Sequence, residues 1–226
     1  APSVNREVQW LTIDGVEQHG TLSNASAEED TRPPGFILIH SLNRSREEWI
    51  GLTTRLNQSG YRTLAYDIRG HGDSTTQANQ TISHQRFTQA DWKMAIDDIA
   101  LAKHELLQAG ADPNNLFIIG SSLGANLGFK YAHGDSNIQG IVLLSPGLEY
   151  KNIDIQEDMR ENRRLPVLLM ASEGDSYSAE SIKKLKLLSP AYSETRTYAG
   201  SAHGTDLLVK PQISTDILDW IKPIIQ

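Results

Sequence analysis

Six short runs, Phe36–His40, Thr63–Asp67, Leu116–Gly120, Gly140–Ser145, Val167–Ala171 and Thr195–Tyr198, recur through most of this chain with longer amphipathic segments between them. Short apolar runs of this kind are the pattern of strands covered on both faces of a parallel sheet. The segment "SREEWIGLTTRLNQSG" carries Ser45 as an N-cap, acids in its first turn and Gly60 beyond its end, which are helix start and stop signals. Thr88–Gln108, Ser122–His133, Ala179–Leu188 and Pro211–Ile225 read as helices too, the last opening on a proline. Strand, helix, strand units connect with one hand, so the predicted fold class is α/β: a doubly wound, mostly parallel sheet flanked by helices.

The first residues follow another rule. "REVQWLTIDGVEQHGTLSNAS" alternates apolar and polar residues on both sides of Asp14-Gly15, which predicts an N-terminal antiparallel hairpin at one edge of the sheet. "AEEDTRPPG", residues 27–35, is charged and proline-rich and reads as a surface connection. With 226 residues and no visible internal repeat, one domain is expected, 1–34 supplying the hairpin and connection and 35–226 the core.

A formal charge of −7 argues against a phosphate-binding face, so no nucleic acid partner is expected. No apolar run approaches the roughly 18–20 residues of a transmembrane helix. Cysteine is absent, which removes disulfides, thiolate catalysis and cysteine metal sites together. The "APSVN" start fits a cleaved signal peptide or a trimmed chain equally, leaving a periplasmic or secreted location as open as a cytoplasmic one.

In an open α/β sheet, ligands bind outside the carboxyl ends of the strands. At one such end stands "GSSLG", residues 120–124. In the spacing G-x-S-x-G the central serine takes a strained strand-to-helix turn and the glycines let neighbouring backbone pass close, which selects Ser122 over Ser121. A glycine-rich turn with an N-cap serine has the same letters; the buried strand before it and the helix after it favour the nucleophile. Such a serine needs a base, and the base a carboxylate. Of the seven histidines only His133 and His203 follow Ser122. His133 lies about 15 Å along the same helix at about 1.5 Å per residue, too far to act. His203, in "YAGSAHGTDLL" after the last strand, is the expected base. For the acid, "PVLLMASEGDSYS" offers Glu173 and Asp175, which spacing does not separate. There is no H-E-x-x-H, no G-x-G-x-x-G after a strand and no G-x-x-x-x-G-K-[ST], so neither a metal nor a nucleotide cofactor is expected.

Five segments in order, "ILIHSLNRSREEW", "LAYDIRGHGDS", "GSSLGAN", "PVLLMASEGD" and "AGSAHG", resemble the α/β-hydrolase family, most closely its small capless esterase and dienelactone-hydrolase-like members, from Gly35 to the C-terminus. The resemblance implies Ser122 as nucleophile, His203 as general base and Asp175 as triad acid, with Glu173 the alternative. It implies an oxyanion hole from the backbone N–H groups of Leu123 and Leu42, each such donor being worth roughly 3–4 kcal/mol. Ser41 stands where many members have glycine and is expected to add a hydroxyl donor. His40, Arg69 and His71 read as packing and hydrogen-bonding residues.

Only "PGLEYKNIDIQEDMRENRRLP" lies between the runs at Gly140–Ser145 and Val167–Ala171, too short for a cap domain. The site should be open, bordered by Tyr150 as a candidate substrate contact and by an arginine cluster that reads better as a solvated loop. The expected activity is a serine carboxylesterase acting on a small-molecule ester with a short or medium acyl chain. Alternatives are a thioesterase, dienelactone hydrolase or peptidase on the same residues, or a binding protein that has lost catalysis. Oligomeric state and natural substrate do not follow from these residues.

Overall fold

The structure, a computed structural model, describes residues 4–24 and 32–226. The first residues of the chain and most of the "AEEDTRPPG" connection lie outside the described residues. Strands β1 (Val4–Leu11) and β2 (Val16–Asn24) form the expected hairpin, with Leu11 opposite Glu17. The turn closes on Gly15 at φ 83°, and Thr12 Oγ1 donates to Asp14 Oδ1 at 2.6 Å.

Next come β3 (Gly35–Ile39), a 3-10 turn over Arg46–Trp49, α1 (Ile50–Gln58) and β4 (Arg62–Tyr66). Strands β5 (Thr76–Gln77) and β6 (Gln80–Thr81) make a small hairpin, followed by α2 (Gln89–Asp97) and α3 (Ile99–Gln108). Then β7 (Leu116–Ser121), α4 (Leu123–Gly134) and β8 (Ile138–Leu144) follow in turn. A short excursion holds β9 (Glu149–Tyr150), β10 (Ile153–Asp154) and α5 (Gln156–Glu161). The chain ends with β11 (Val167–Ser172), α6 (Ser176–Leu188), β12 (Ser193–Tyr198), a 3-10 segment over Gly204–Val209 and α7 (Pro211–Ile221).

The main sheet runs β12-β11-β8-β7-β3-β4-β2-β5-β6, with β1 also on β2. Pairing is parallel from β12 to β4 and antiparallel from β4 to β2. Successive residues of the central strands serve opposite faces, which is why their runs are continuously apolar. Ile37, Ile39, Ile118 and Ile141 pack with α2 to α6, whereas Phe36, Leu38, Phe117 and Val142 pack with Trp49, Leu52, Ile213 and Ile217. Each fully buried side chain of this size contributes about 1.5–3 kcal/mol.

Several details differ from the sequence reading; α6 starts at Ser176 rather than Ala179 and β12 at Ser193 rather than Thr195, and three further differences have a visible cause. Thr88–Gln108 is interrupted at Asp98, whose buried carboxylate takes Arg69 Nε at 2.7 Å, Arg69 Nη2 at 2.8 Å and Gln18 Nε2 at 3.2 Å. The last helix stops at Ile221 because Pro223 disfavours helical backbone at the residue before it. Ser45 makes no side-chain cap; the Arg46 N–H donates to Asp67 Oδ1 at 2.7 Å instead. No cap domain is inserted, and the carboxyl ends of β3, β7, β8, β11 and β12 open on one edge.

Candidate active site

Strand β7 turns into α4 through Ser122, a non-glycine residue at φ 54°, ψ −118°. Such backbone costs of order 1–3 kcal/mol and is held by its surroundings. The Ser122 N–H donates to Leu144 O at 2.8 Å, and its carbonyl accepts from the Ala125 N–H at 3.0 Å. A Cβ at Gly120 would lie 2.5 Å from Gly124 O, and one at Gly124 would fall far inside contact with the carbonyls of Ile39 and His40. The two glycines therefore let the turn close and let α4 start against the end of β3. The paired serines part here: Ser121 is fully buried with its hydroxyl 2.7 Å from Ser41 Oγ, while Ser122 Oγ meets His203.

His203 Nε2 lies 2.8 Å from Ser122 Oγ, and His203 Nδ1 lies 2.6 Å from Asp175 Oδ2. A carboxylate only accepts, so Nδ1 carries the proton and Nε2 is free to accept from the serine hydroxyl. Asp175 follows β11 and His203 follows β12, neighbours in the sheet; the Gly174 N–H donates to Gly200 O at 2.8 Å and ties the two loops. Glu173, the alternative acid, is exposed, and among the described residues only its backbone N–H is engaged, on Tyr198 O. His133 sits at the far end of α4, 3.8 Å from Glu161.

Among the described residues, the N–H groups of Leu42 and Leu123 donate to no protein acceptor. The Ser41 carbonyl accepts from His40 Nδ1 at 2.7 Å and from the Arg44 N–H at 3.1 Å. Because C=O and N–H point opposite ways across a trans peptide, this pins the Leu42 N–H in the other direction. His40 Nε2 accepts the Ile68 N–H at 2.9 Å while Nδ1 donates to Ser41 O, a pair of bonds that only the neutral ring makes, and burial pushes its pKa down to about 4. It anchors the loop, as expected from the sequence. Ser41 is a correction: it is buried, and its hydroxyl is engaged by Ser121 and by Glu48 Oε1 at 3.1 Å rather than left free for a substrate.

Tyr150 stands half-buried beside the histidine, its ring edge-on to His203 with centroids 6.5 Å apart and to Tyr177 with centroids 5.7 Å apart. Burial raises the pKa of its phenol. The arginine cluster turns away: Arg160 pairs with Glu157 at 2.8 Å, and Arg164 donates to the carbonyls of Ile138 and Asp135. Arg69 lies between Asp98 and Asp14, holding the Asp14 carboxyl down to about 2. His71 is buried and stacked on His84, centroids 3.8 Å apart, and burial lowers its pKa to about 3.

Three supporting residues were not singled out in the sequence. Ser145 Oγ accepts the Gly204 N–H at 2.8 Å. The Asn126 amide bonds both the N–H and the carbonyl of Gly147, at 3.2 and 3.0 Å, fixing the segment that carries Tyr150. Glu48 was read as a first-turn helix acid and points inward. Positive φ at Ser145 (48°) has no local sequence signal, and Asn126 in "GSSLGAN" is the one a buried-helix reading could have flagged. Among the described residues no group of three or more His, Cys, Asp or Glu is placed to hold a metal ion, and no helix is long and apolar enough to cross a membrane.

Residues 35–168 match the protein family described as serine aminopeptidase, S33. No curated protein matches the chain in sequence. Among solved structures, an α/β hydrolase from Penicillium sp. sh18 superposes with a TM-score of 0.81 at 15% identity, covering 98% of this chain and 99% of that one. A thermostable carboxyl esterase from Bacillus coagulans gives 0.77 at 13% identity, covering 98% and 99%. An esterase from Pyrococcus furiosus gives 0.75 at 15% identity, covering 99% and 92%. At these identities the superpositions speak for the fold, and the family match for the lineage: this chain is an α/β hydrolase and belongs to the family described as serine aminopeptidase, S33.

Proposed function

We propose that this protein is a serine carboxylesterase that hydrolyses short to medium acyl esters through an acyl-enzyme on Ser122. The observation that carries the reading is the relay Ser122 Oγ, His203 Nε2 at 2.8 Å, His203 Nδ1, Asp175 Oδ2 at 2.6 Å. Ser122 Oγ attacks the ester carbonyl as its proton passes to His203 Nε2, and Asp175 stabilises the imidazolium. The Leu42 and Leu123 N–H groups receive the oxyanion. His203 then gives the proton to the leaving alcohol, and in the second half it takes one from the water that cleaves the acyl-enzyme.

The short β9 to α5 excursion supports an open site and hence a small acyl group, with Tyr150 and Tyr177 as its aromatic wall. The family description favours a second reading, an aminopeptidase. That activity must hold a free α-ammonium group beside the scissile bond. The carboxylates of Glu48 and Asp206 are occupied, by Ser41 and Thr205 and by Arg44, which leaves the exposed Glu173 as the candidate anchor on these loops and weighs toward the ester.

Hydrolysis of a p-nitrophenyl ester series from acetate to palmitate, beside a thioester and an aminoacyl anilide, tests the assignment. Ester turnover falling with chain length and absent in Ser122→Ala is expected. Anilide turnover exceeding ester turnover would replace the esterase reading with the peptidase one, and ester turnover unchanged in the variant would remove Ser122 from the mechanism.

A further inference from the structure

Glu48 lies in the 3-10 turn before α1, where an acid facing solvent would be ordinary. Its carboxylate is turned into the protein. Oε1 accepts the Ser41 N–H at 2.7 Å and the Ser41 hydroxyl at 3.1 Å, and Oε2 accepts the Thr205 hydroxyl at 2.9 Å. The Ser41 hydroxyl, its proton committed to the carboxylate, accepts in turn from Ser121 Oγ at 2.7 Å. Gly204 packs directly over this pair of hydroxyls: at φ 59°, a Cβ there would stand 3.0 Å from Ser41 Oγ and closer still to Ser121 Oγ.

These contacts join three separate segments. Ser41 immediately precedes Leu42 in the loop after β3. Ser121 ends β7 and immediately precedes Ser122. Gly204 and Thr205 immediately follow His203. Withdrawing a carboxylate even partly from water is unfavourable unless it is paired or well hydrogen-bonded, so a half-buried charge here is matched by its donors. Those donors come from two of the loops that carry the reacting groups, and burial raises the carboxyl pKa despite them. Arg44 is the charged group nearest in effect, acting at longer range while paired with Asp206. The bond to the Ser41 N–H fixes the peptide before Ser41, and His40 with Arg44 fixes the one after it, so both peptides that aim the Leu42 N–H are held.

We propose that Glu48 is a positioning residue, a half-buried clamp that holds the Leu42 loop and the His203 loop in register with the strand end that carries Ser122. The proposal rests on the serine-hydrolase reading above only for its catalytic consequence. Donors to a developing oxyanion must sit within about 0.5 Å of their productive positions, and the clamp acts on that placement without touching substrate. Its removal therefore lowers kcat rather than substrate affinity.

The test compares wild type with Glu48→Ala, Glu48→Gln and Thr205→Val. Ester turnover is normalised to active sites titrated with a fluorophosphonate, and hydrogen exchange is read by mass spectrometry over residues 41–44 and 203–206. In Glu48→Ala, kcat per titrated site should fall on the order of 10- to 100-fold, as for other partners that orient a reacting group, with KM little changed. Exchange should rise in both segments. Glu48→Gln should recover most of kcat, since its carbonyl can accept from Ser41 and its amide can donate to the Thr205 hydroxyl. Should Glu48→Ala not fold, Thr205→Val removes one arm and should speed exchange over 203–206 with a smaller loss of kcat. Unchanged exchange, a loss confined to KM, or kcat per site within about twofold of wild type in Glu48→Ala would overturn the proposal, since merely destabilised enzyme loses titratable sites rather than turnover per site. If wild type does not react with the fluorophosphonate, the Ser122 reading falls, and the exchange comparison still decides the clamp.

Discussion

Asp175 Oδ2 lies 2.6 Å from His203 Nδ1, while Glu173, two residues earlier on the same turn, is exposed and reaches no histidine. Asp175→Asn should keep the fold but present the wrong tautomer to Ser122, lowering kcat by about 10⁴. Glu173→Gln should stay within about twofold of wild type, as an exposed side chain outside the relay. Steady-state kinetics of the two variants separates the carboxylates; a large loss in Glu173→Gln would reverse their roles.

Gly124 is required by close approach, since a methyl there would overlap the carbonyls of Ile39 and His40. Gly124→Ala should push the start of α4 from β3, costing about 1–3 kcal/mol or more in stability as overpacking does. The movement carries the Leu123 N–H with it, so ester turnover should fall by more than the folded fraction does. Urea unfolding and active-site titration on the same sample check both halves.

The buried histidines set the acid limb of stability. Unfolded imidazoles take up protons near pH 6.5, whereas burial holds those of His40 and His71 near 4 and 3 in the folded protein. The unfolded chain binds more protons in that window, so their contribution is intact above about pH 6.5 and is lost as pH falls toward 4, by up to about 1.4 kcal/mol per unit for each ring. The urea midpoint should drop between pH 6.5 and 4.5, and His71→Phe should flatten that drop. An equal slope in the variant would contradict the assignment.

Arg69 and Asp98 form a buried fork at 2.7 and 2.8 Å, and Asp98 also takes the Gln18 amide of β2. Asp98→Ala leaves the buried Arg69 with Asp14 as its one remaining counter-charge, so it should cost toward the lower end of the about 3–5 kcal/mol of a broken buried pair. Denaturant unfolding at pH 7 measures it, and a cost below about 1 kcal/mol would mean that water replaces the lost carboxylate.

The centre of the sheet was legible because β3, β7 and β11 are buried on both faces: Phe36 to Ile39 alternate between two cores and every one must be apolar, whereas the edge strand β12 is polar and half-exposed and does not follow that rule. Ser122 and His203 were legible because sterics fix the glycines around the first and chain order singles out the second. Asp175 over Glu173 was not legible from spacing, since both follow β11, and only the family resemblance pointed to the carboxylate that meets His203. Glu48 and Ser41 were misread for a related reason. Helix-start rules describe an acid in isolation, and a partner as remote in sequence as Thr205 leaves no local trace. The interruption at Asp98 was hidden in the same way, behind a contact with Arg69.

The account depends most on one oxygen atom. Treatment with a fluorophosphonate followed by peptide mapping should find a single adduct on Ser122, none on the adjoining Ser121, and no adduct in Ser122→Ala. Adduct on Ser121, or an unmodified wild-type chain under conditions where it hydrolyses esters, would contradict a mechanism through Ser122.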